Sequence, residues 1–535
     1  MRVLLVLAVL AAEKAIAINI PFESFELTPA EVDAFPVIAF GDSANPGPAR
    51  TGCRFVPGDS EWPTDDDWSR LNVSMGGALL RPDPPGAVCY PDHPRYDEDA
   101  CLALMRNAGR TREFEYLPDY SVGDYHGPAA RVSAGLEAWE MFDYMRAHDM
   151  TLVVPGGYTV GAYGGWMAAG GHSPLASTFG LGSDQVLSLQ VVTADGRFVT
   201  ASPESNQDLF YALCGGGPST YGIVTSAVVK AHPATNVTTA SLRFQVTNGA
   251  FGSESDMSAS EAVEAFWTGV GMFFHYGKDV TEFGGTTYNY VTPGMNNASV
   301  SFRTDFEMPG MTPDDVAAFL QPLYDAITDV GIPISKTVPG PSSTWGPGRR
   351  GIGDMPGNSR LASRLFPRRN WESDDLFDET MAAVRTFVEG GYSFHGIHMG
   401  PTEEVAGYPG GGGVNPAFRE TLMHADLFDR GVAPGASADK VKEAHDRLVE
   451  YVQPIRDVTK GSGAYMNEGD VLEPDWQGSY FGDKYERLLA IKQTTDPWNL
   501  FWAPGTVGSE PWAVRTADGL PTQNGLLCRI DAPRR

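Results

Sequence analysis

The stretch PGGYTVGAYGGWMAAGGHSPLASTFGLGSDQVLSLQVVTADGRFVTASPESNQDLFYALCGGGPSTYGIVTSAVVK, Pro155 to Lys230, decides the fold. Glycines stand at 156, 157, 161, 164, 165, 170 and 171, and again at 215, 216, 217 and 222. With no Cβ at these positions, backbone N–H groups can close on a bulky anionic ligand. Between the clusters, Val186 to Ala194 is an apolar, strand-like run that ends in an Asp195-Gly196 turn. Tyr221 to Val229 is a second β-branched run. Taken singly, each glycine also reads as a turn in a β-rich domain. The ordered succession of cluster, strand, cluster and strand favours a ligand-binding sheet.

Other nucleotide and nucleophile signatures are absent or misplaced. The one G-x-G-x-x-G, Gly346 to Gly351, follows Ser342-Ser343-Thr344-Trp345 rather than a strand, and Pro347 makes it a loop. Neither G-x-x-x-x-G-K-[ST] nor G-x-S-x-G occurs.

The 535 residues suffice for two or three domains, and 42% hydrophobic with 20% charged residues is an ordinary globular balance. The net charge of −28 repels phosphate backbones, so nucleic acid is not an expected partner. At the N-terminus, Arg2, the apolar Val3 to Ala12 and Ala15-Ile16-Ala17 read as a secretory signal over residues 1–17, against the alternative of a buried first helix. The apolar core is too short to span a bilayer, and no other run reaches spanning length, so no membrane partner is expected. Sequons at Asn72, Asn236 and Asn297 fit a secreted glycoprotein, and a monomer is expected. Of the five cysteines, a Cys89–Cys101 bridge would close a small loop and a Cys53–Cys528 bridge would tie the chain ends, leaving Cys214 alone. Four cysteines allow three connectivities, and sequence does not choose among them.

Elsewhere the pattern predicts helices at Leu136–His148, Pro313–Val330, Asp374–Glu389 and Tyr485–Ile491. It predicts strands at Gly127–Gly135, Thr151–Val154, Ala240–Gln245, Thr286–Val291 and Ser299–Phe306, and a short apolar strand after Asp496-Pro497. Glycine clustering falls after about Pro233. The expected division is therefore a ligand-binding part over 18–232, an α+β part over 233–455 with an antiparallel sheet covered by helices, and a C-terminal segment over 456–535 that returns to the first part.

The glycine-rich unit resembles the flavin-binding half of FAD-linked oxidases of the vanillyl-alcohol-oxidase and berberine-bridge type. The P-P-G-x-V-C at 84–89, with a preceding Cys, P-G-D and two tryptophans, is similar to secreted fungal flavin oxidases of the isoamyl-alcohol-oxidase-like branch. The N-E-G-D at 467–470 and P-D-W-Q at 474–477 strengthen that similarity. The resemblance implies a two-part, PCMH-type FAD-binding domain with an inserted substrate domain. It implies FAD as cofactor, a small-molecule alcohol or specialised metabolite as hydride donor, and O₂ as electron acceptor; a carbohydrate oxidase of the same fold is an alternative. The cofactor-binding set it implies is Gly156, Gly157, Thr159, Val160, Gly161, Gly164, Gly165, Gly170, Gly171, His172, Asp184, Gly222, Ile223, Val224 and Asn467.

In the plant relatives a tyrosine of Y-x-N-Y-x-D acts as base. The matching stretch here, Tyr465 to Asp470, carries Glu468 in its place, so Glu468, with Tyr465, is the candidate base. A partly buried Glu468 is expected to have a raised pKa. A structural carboxylate is the alternative. His395 and His398 lie near Glu403 and Glu404, but on a strand i and i+3 face opposite ways, so no metal is assigned and His398 is taken as substrate-facing.

One departure stands out. Between Cys101 and Gly127 the chain is too short for the βαβ portion that carries the covalent flavin histidine in the relatives. Gly170-Gly171-His172 lies in the second, non-covalent flavin loop, so no linking histidine is assigned. Either an exon is missing from the coding sequence or the protein is a natural variant with a damaged flavin pocket. The second case allows a flavin-poor, non-catalytic remnant.

Overall fold

The computed structural model describes residues 23, 27–77, 79, 85–107, 120–124, 128–218, 220–252, 256–294, 299–340, 342–346, 360–407, 411–429, 431–432, 436–520 and 525–530. The expected signal, the Asn297 sequon and most of 102–127 lie outside them.

The glycine-rich unit builds a five-stranded antiparallel sheet in the order Tyr120–Asp124, Pro128–Ser133, Ile223–Lys230, Val186–Val192, Phe198–Ala201. Val186, Leu189 and Val191 are buried because their strand is flanked on both sides. The helix Ala138–His148 buries Met141, Phe142 and Met145 against this sheet. From the far end of the chain, Leu488 and Ile491 of the helix Tyr485–Thr495 enter the same core.

Two expected strands are corrected. Only Met150–Thr151 pairs, with His232–Pro233, while Leu152 to Val154 are buried without a ladder. Side chains satisfy their carbonyls instead: the Tyr163 hydroxyl donates to Val153 O at 2.6 Å and Ser173 Oγ to Val154 O at 2.7 Å. The segment directly after Pro497, 498–502, forms no strand either; the next strand is Trp512–Thr516, paired with Gly525–Arg529. The Asp496 carboxylate accepts from the N–H groups of Leu500 and Phe501 at 2.8 and 2.9 Å, and Asn499 takes φ 51°, which curls the segment.

The second sheet is antiparallel, in the order Ser335–Lys336, Asn236–Val246, Val300–Pro309, Thr286–Pro293, Ser393–His398, Thr421–Phe428, Leu361–Pro367, with Ser343–Thr344 also paired to Asn236–Val246. Its two faces differ in chemistry. Phe244, Phe302, Phe306, Val291, Phe394 and Leu427 pack under the helices Ala259–Glu282, Pro313–Asp329, Asp374–Glu389 and Ala438–Val458. The alternate positions, including Tyr288, Tyr290, His395, His424, Asp426 and Ser363, form the opposite, polar face. Disulfides join Cys53 to Cys528 and Cys89 to Cys101, and Cys214 is a buried free thiol.

Candidate active site

Three chain segments meet at a seam between the two sheets. The turn Met466–Glu468 is stitched to the second sheet, since Tyr465 N donates to Ser363 Oγ and Ser363 Oγ to Tyr465 O, both at 3.0 Å. The same turn holds the glycine loop: Asn467 Nδ2 donates to Trp166 O at 3.1 Å, to Gly165 O at 3.3 Å and to the Tyr465 hydroxyl at 2.8 Å. Glu468 therefore lies between the first module's loop and the polar face of the second sheet.

Its carboxylate is flanked by two imidazoles. His172 Nε2 lies 3.1 Å from Oε1, and His424 Nε2 lies 2.6 Å from Oε2. His424 Nε2 is also 3.2 Å from Asp426 Oδ1, and Asp426 Oδ2 is 3.3 Å from His395 Nδ1. The order His172, Glu468, His424, Asp426, His395 is thus an unbroken alternation of imidazole and carboxylate. The Tyr290 ring stacks on His395 with centroids 4.0 Å apart, and the Arg303 guanidinium lies 4.0 Å above Tyr290.

Exposure differs sharply along the row: 31% for the Glu468 side chain and none for His424. Burial pulls the His424 pKa down, but the Asp426 and Glu468 carboxylates outweigh it and bring it up to about 10. For Glu468, burial acts upward, yet His172 and His424 hold its carboxyl well below the usual range. The expected raised pKa of Glu468 is therefore corrected, because the carboxylate is paired on both sides. Tyr465 is corrected as well. It is 1% exposed, and burial and the neighbouring Glu468 charge drive its hydroxyl well above the usual tyrosine value, so it stays protonated.

His398 does not face a substrate. It is fully buried on the helix side among Phe273, Phe274 and Trp371, and its pKa falls to about 3 because burial penalises the cation. His395 occupies the other face. Sequence pattern passed over His424 and Asp426, although the alternation in Leu422-Met423-His424-Ala425-Asp426 puts both on one face of a strand.

Nitrogen and oxygen atoms of His172, His424 and Glu468 lie within 4.8 Å of one another, a spacing that admits a cation. His424 Nε2, however, is hydrogen-bonded to Glu468 and faces Asp426 as well, and the two carboxylates favour its protonated form, so a cation there competes with that proton.

The remaining candidates divide by packing. A Cβ at Gly161 would meet nothing within 4 Å at an unstrained backbone, and one at Gly165 would meet only Pro218 at 3.9 Å. Gly164 (φ −109°, ψ −113°) kinks the loop between them. This bare-backbone shelf fits a large planar anion-bearing ligand. Thr159 and Val160 lie on the same loop, partly exposed, while Gly157 carries a turn bond from Val160 N. Gly156 lies where a Cβ would come 3.2 Å from the Tyr288 hydroxyl. Gly170 (φ +118°) packs on Val414, Gly171 (φ +79°) on the Trp166 ring, and Gly222 on Val191, so the protein itself demands these three glycines. Asp184, buried, forms a two-point ion pair with Arg419 at 2.7 and 2.8 Å and accepts from Leu181 N at 2.8 Å, so it locks the two modules together. Ile223 is 56% exposed and Val224 partly buried.

Comparison with known proteins gives the class, a flavin-linked oxidoreductase. Residues 124–202 match the model of an FAD binding domain, and residues 464–508 match berberine and berberine like. An FAD-linked oxidoreductase, patO, of Aspergillus clavatus is 29% identical over 577 residues, covering 90% of this chain and 95% of its own. A VAO-type flavoprotein oxidase, VAO615, of Thermothelomyces thermophilus is 27% identical, covering 89% and 95%. In structure, the VAO-type flavoprotein MtVAO615 of Myceliophthora thermophila superposes with a TM-score of 0.75 at 24% identity, over 89% of this chain and 100% of that one. Glucooligosaccharide oxidase from Acremonium strictum gives 0.55 at 19%, over 73% and 80%.

These likenesses support a vanillyl-alcohol-oxidase and berberine-bridge-like family, and the fold is of the PCMH FAD-binding type. The chain is an FAD-dependent oxidase acting on a small molecule.

Proposed function

We propose that the chain oxidises an alcohol group of a small molecule or specialised metabolite at the seam between its modules, with working divisions at 232/233 and 455/456. The observation that carries this reading is the partly open Glu468 carboxylate, paired with an imidazole on each side and set between the glycine loop and the polar sheet face. FAD, when bound, supplies the hydride acceptor and returns the two electrons to O₂ as hydrogen peroxide. The glycine shelf at Gly161 to Gly165 would hold it. The chain's own residues handle the proton. Glu468 accepts the hydroxyl proton as the C–H bond yields its hydride, and releases it to solvent through its exposed edge. The Tyr288, Tyr290 and His395 surface supports the substrate's planar or ring portion, as its aromatic character suits.

Glu468→Gln keeps size and hydrogen bonding but cannot take the proton. Flavin reduction by substrate should slow by about 10²–10⁴-fold with flavin absorbance intact. A Glu468→Gln enzyme reduced at the wild-type rate would return Glu468 to a structural role.

Secretion is part of the reading, supported by the leader-like N-terminus and two disulfides. A second reading, a flavin-poor remnant, draws on the short 101–127 stretch. It also draws on an alignment of 577 residues with patO, longer than this 535-residue chain. A purified protein that stays colourless after FAD addition would favour the remnant, and a yellow one the oxidase. The transcript between the codons for Cys101 and Gly127 separates a lost exon from a natural variant.

A further inference from the structure

We propose that His424 and Asp426 are positioning residues that keep Glu468 ionised under acidic conditions, so that the oxidase retains its proton acceptor at pH values where an ordinary glutamate is largely protonated. The inference rests on Glu468 as the proton acceptor, and it adds a reason for two groups that do not touch substrate.

The geometry is directional. Glu468 shows 31% of its side chain, while His424 directly behind it shows none and Asp426 behind that shows 7%. A hydroxyl from the cleft reaches the carboxylate and not the imidazole. The turn that carries Glu468 and the strand that carries His424 come from distant parts of the chain, and Ser363 and Tyr465 fix their spacing through paired 3.0 Å hydrogen bonds. His424 Nε2 is hydrogen-bonded to Glu468 Oε2 at 2.6 Å and lies at ion-pair distance, 3.2 Å, from Asp426 Oδ1, so one buried imidazole faces two carboxylates. Two anions around one buried imidazole favour the imidazolium, and the imidazolium in turn favours the Glu468 anion.

Every charged or titratable group the structure places around Glu468 has a part. His172, from the glycine loop, faces Oε1 at 3.1 Å. Tyr465, with its ring 5.4 Å from both imidazoles, stays neutral and supplies bulk that keeps water from His424. His395 lies on the far side of Asp426, at 3.3 Å, and steadies that carboxylate rather than Glu468. A site of this kind suits a secreted enzyme of acidic surface working in an acid medium.

The experiment compares the pH dependence of kcat/KM for wild type, His424→Gln and Asp426→Asn, each checked for flavin absorbance and melting temperature. In His424→Gln, removing the opposite charge at this distance should raise the acid-limb pKa by about 1–3 units, whereas Asp426 has the same sign as Glu468 and acts only through His424, so Asp426→Asn should raise it less. Activity near pH 4 should fall at least about tenfold more than activity near pH 7. His424→Lys, which restores a cation, should move the limb part of the way back. An acid limb that coincides with wild type in His424→Gln overturns the proposal, even where Glu468→Gln abolishes turnover. If Glu468→Gln instead keeps both the rate and the acid limb, the proton-acceptor reading fails first. Where turnover is too low to measure, infrared difference spectra over an acid titration read the same quantity. The protonated-carboxyl band lost in Glu468→Gln should appear at higher pH in His424→Gln, and an unmoved band overturns the proposal.

Discussion

Glu468 stands where the resemblance to plant berberine-bridge-type oxidases places a tyrosine, and its surroundings give the carboxylate a physical sense. A tyrosine base is activated by losing a proton with an ordinary value near 10, whereas a carboxylate flanked by imidazoles is already ionised. Tyr465, three residues earlier, keeps its proton and is buried, so of the two candidates in the sequence Tyr465 is a packing group and Glu468 is the one proposed as acceptor. At the same scale, the glycines divide into those the protein needs and those only a ligand would need. Gly171 has φ +79°, and a Cβ there would lie 2.8 Å from the Trp166 ring. Gly171→Ala should therefore lower stability by about 1–3 kcal/mol, read as a fall in melting temperature without added flavin. Gly161 has an ordinary backbone and empty space, so Gly161→Val should leave the melting temperature of the flavin-free chain unchanged and reduce flavin occupancy. Normal flavin loading in Gly161→Val would move the shelf elsewhere. The sequence made Glu468 and Asn467 legible because a continuous motif carries them. His424 and Asp426 escaped because their significance depends on a partner 42 or more positions away that no local pattern announces.

At the scale of elements, alternation along strands was the readable part. Thr286–Pro293 and Val300–Pro309 lie within a few residues of the runs expected from pattern, because buried residues recur at every second position, Thr287, Asn289 and Val291 on one strand and Phe302, Thr304 and Phe306 on the other. Leu152 to Val154 have the same β-branched composition and make no ladder, since hydroxyls of Tyr163 and Ser173 reach their carbonyls first. Composition reports burial well and pairing poorly. His398 illustrates the reverse error. A histidine on a strand beside another histidine suggests a site, yet its face is fixed by register, and register turns it toward Ala259–Glu282. That helix accommodates the imidazole only because residue 277 is glycine, where a Cβ would come within 2.2 Å of the ring. Alanine improves helix propensity by about 1 kcal/mol, but overpacking a buried ring costs about 1–3 kcal/mol. Gly277→Ala should therefore destabilise the second module in a thermal melt, and a Gly277→Ala protein at least as stable as wild type would show that the helix can shift away.

For the whole molecule, the buried histidines make stability depend on pH in opposite directions. His398 and His232 are neutral in the folded chain, with pKa values lowered by burial to about 3 and about 4. Unfolding returns both to about 6.5, so the unfolded state binds more protons between those values. Their contribution is fully present above pH 6.5 and is lost as pH falls toward 3 to 4. At about 1.4 kcal/mol per pH unit, His398 alone accounts for up to about 5 kcal/mol. His424 has the opposite sign. Its folded pKa of about 10 means that its contribution is complete below pH 6.5 and declines as pH rises through 10. Relief of self-repulsion from the −28 net charge works against acid unfolding, but surface charges are screened by salt within about 10 Å and buried groups are not. The urea midpoint, measured in 0.15 M salt, should therefore fall between pH 6.5 and pH 4. In His398→Leu the midpoint should start lower at pH 7, because Thr287 loses its 3.0 Å partner, yet fall less steeply with acid. Equal slopes in the two proteins would assign the acid sensitivity to groups other than His398.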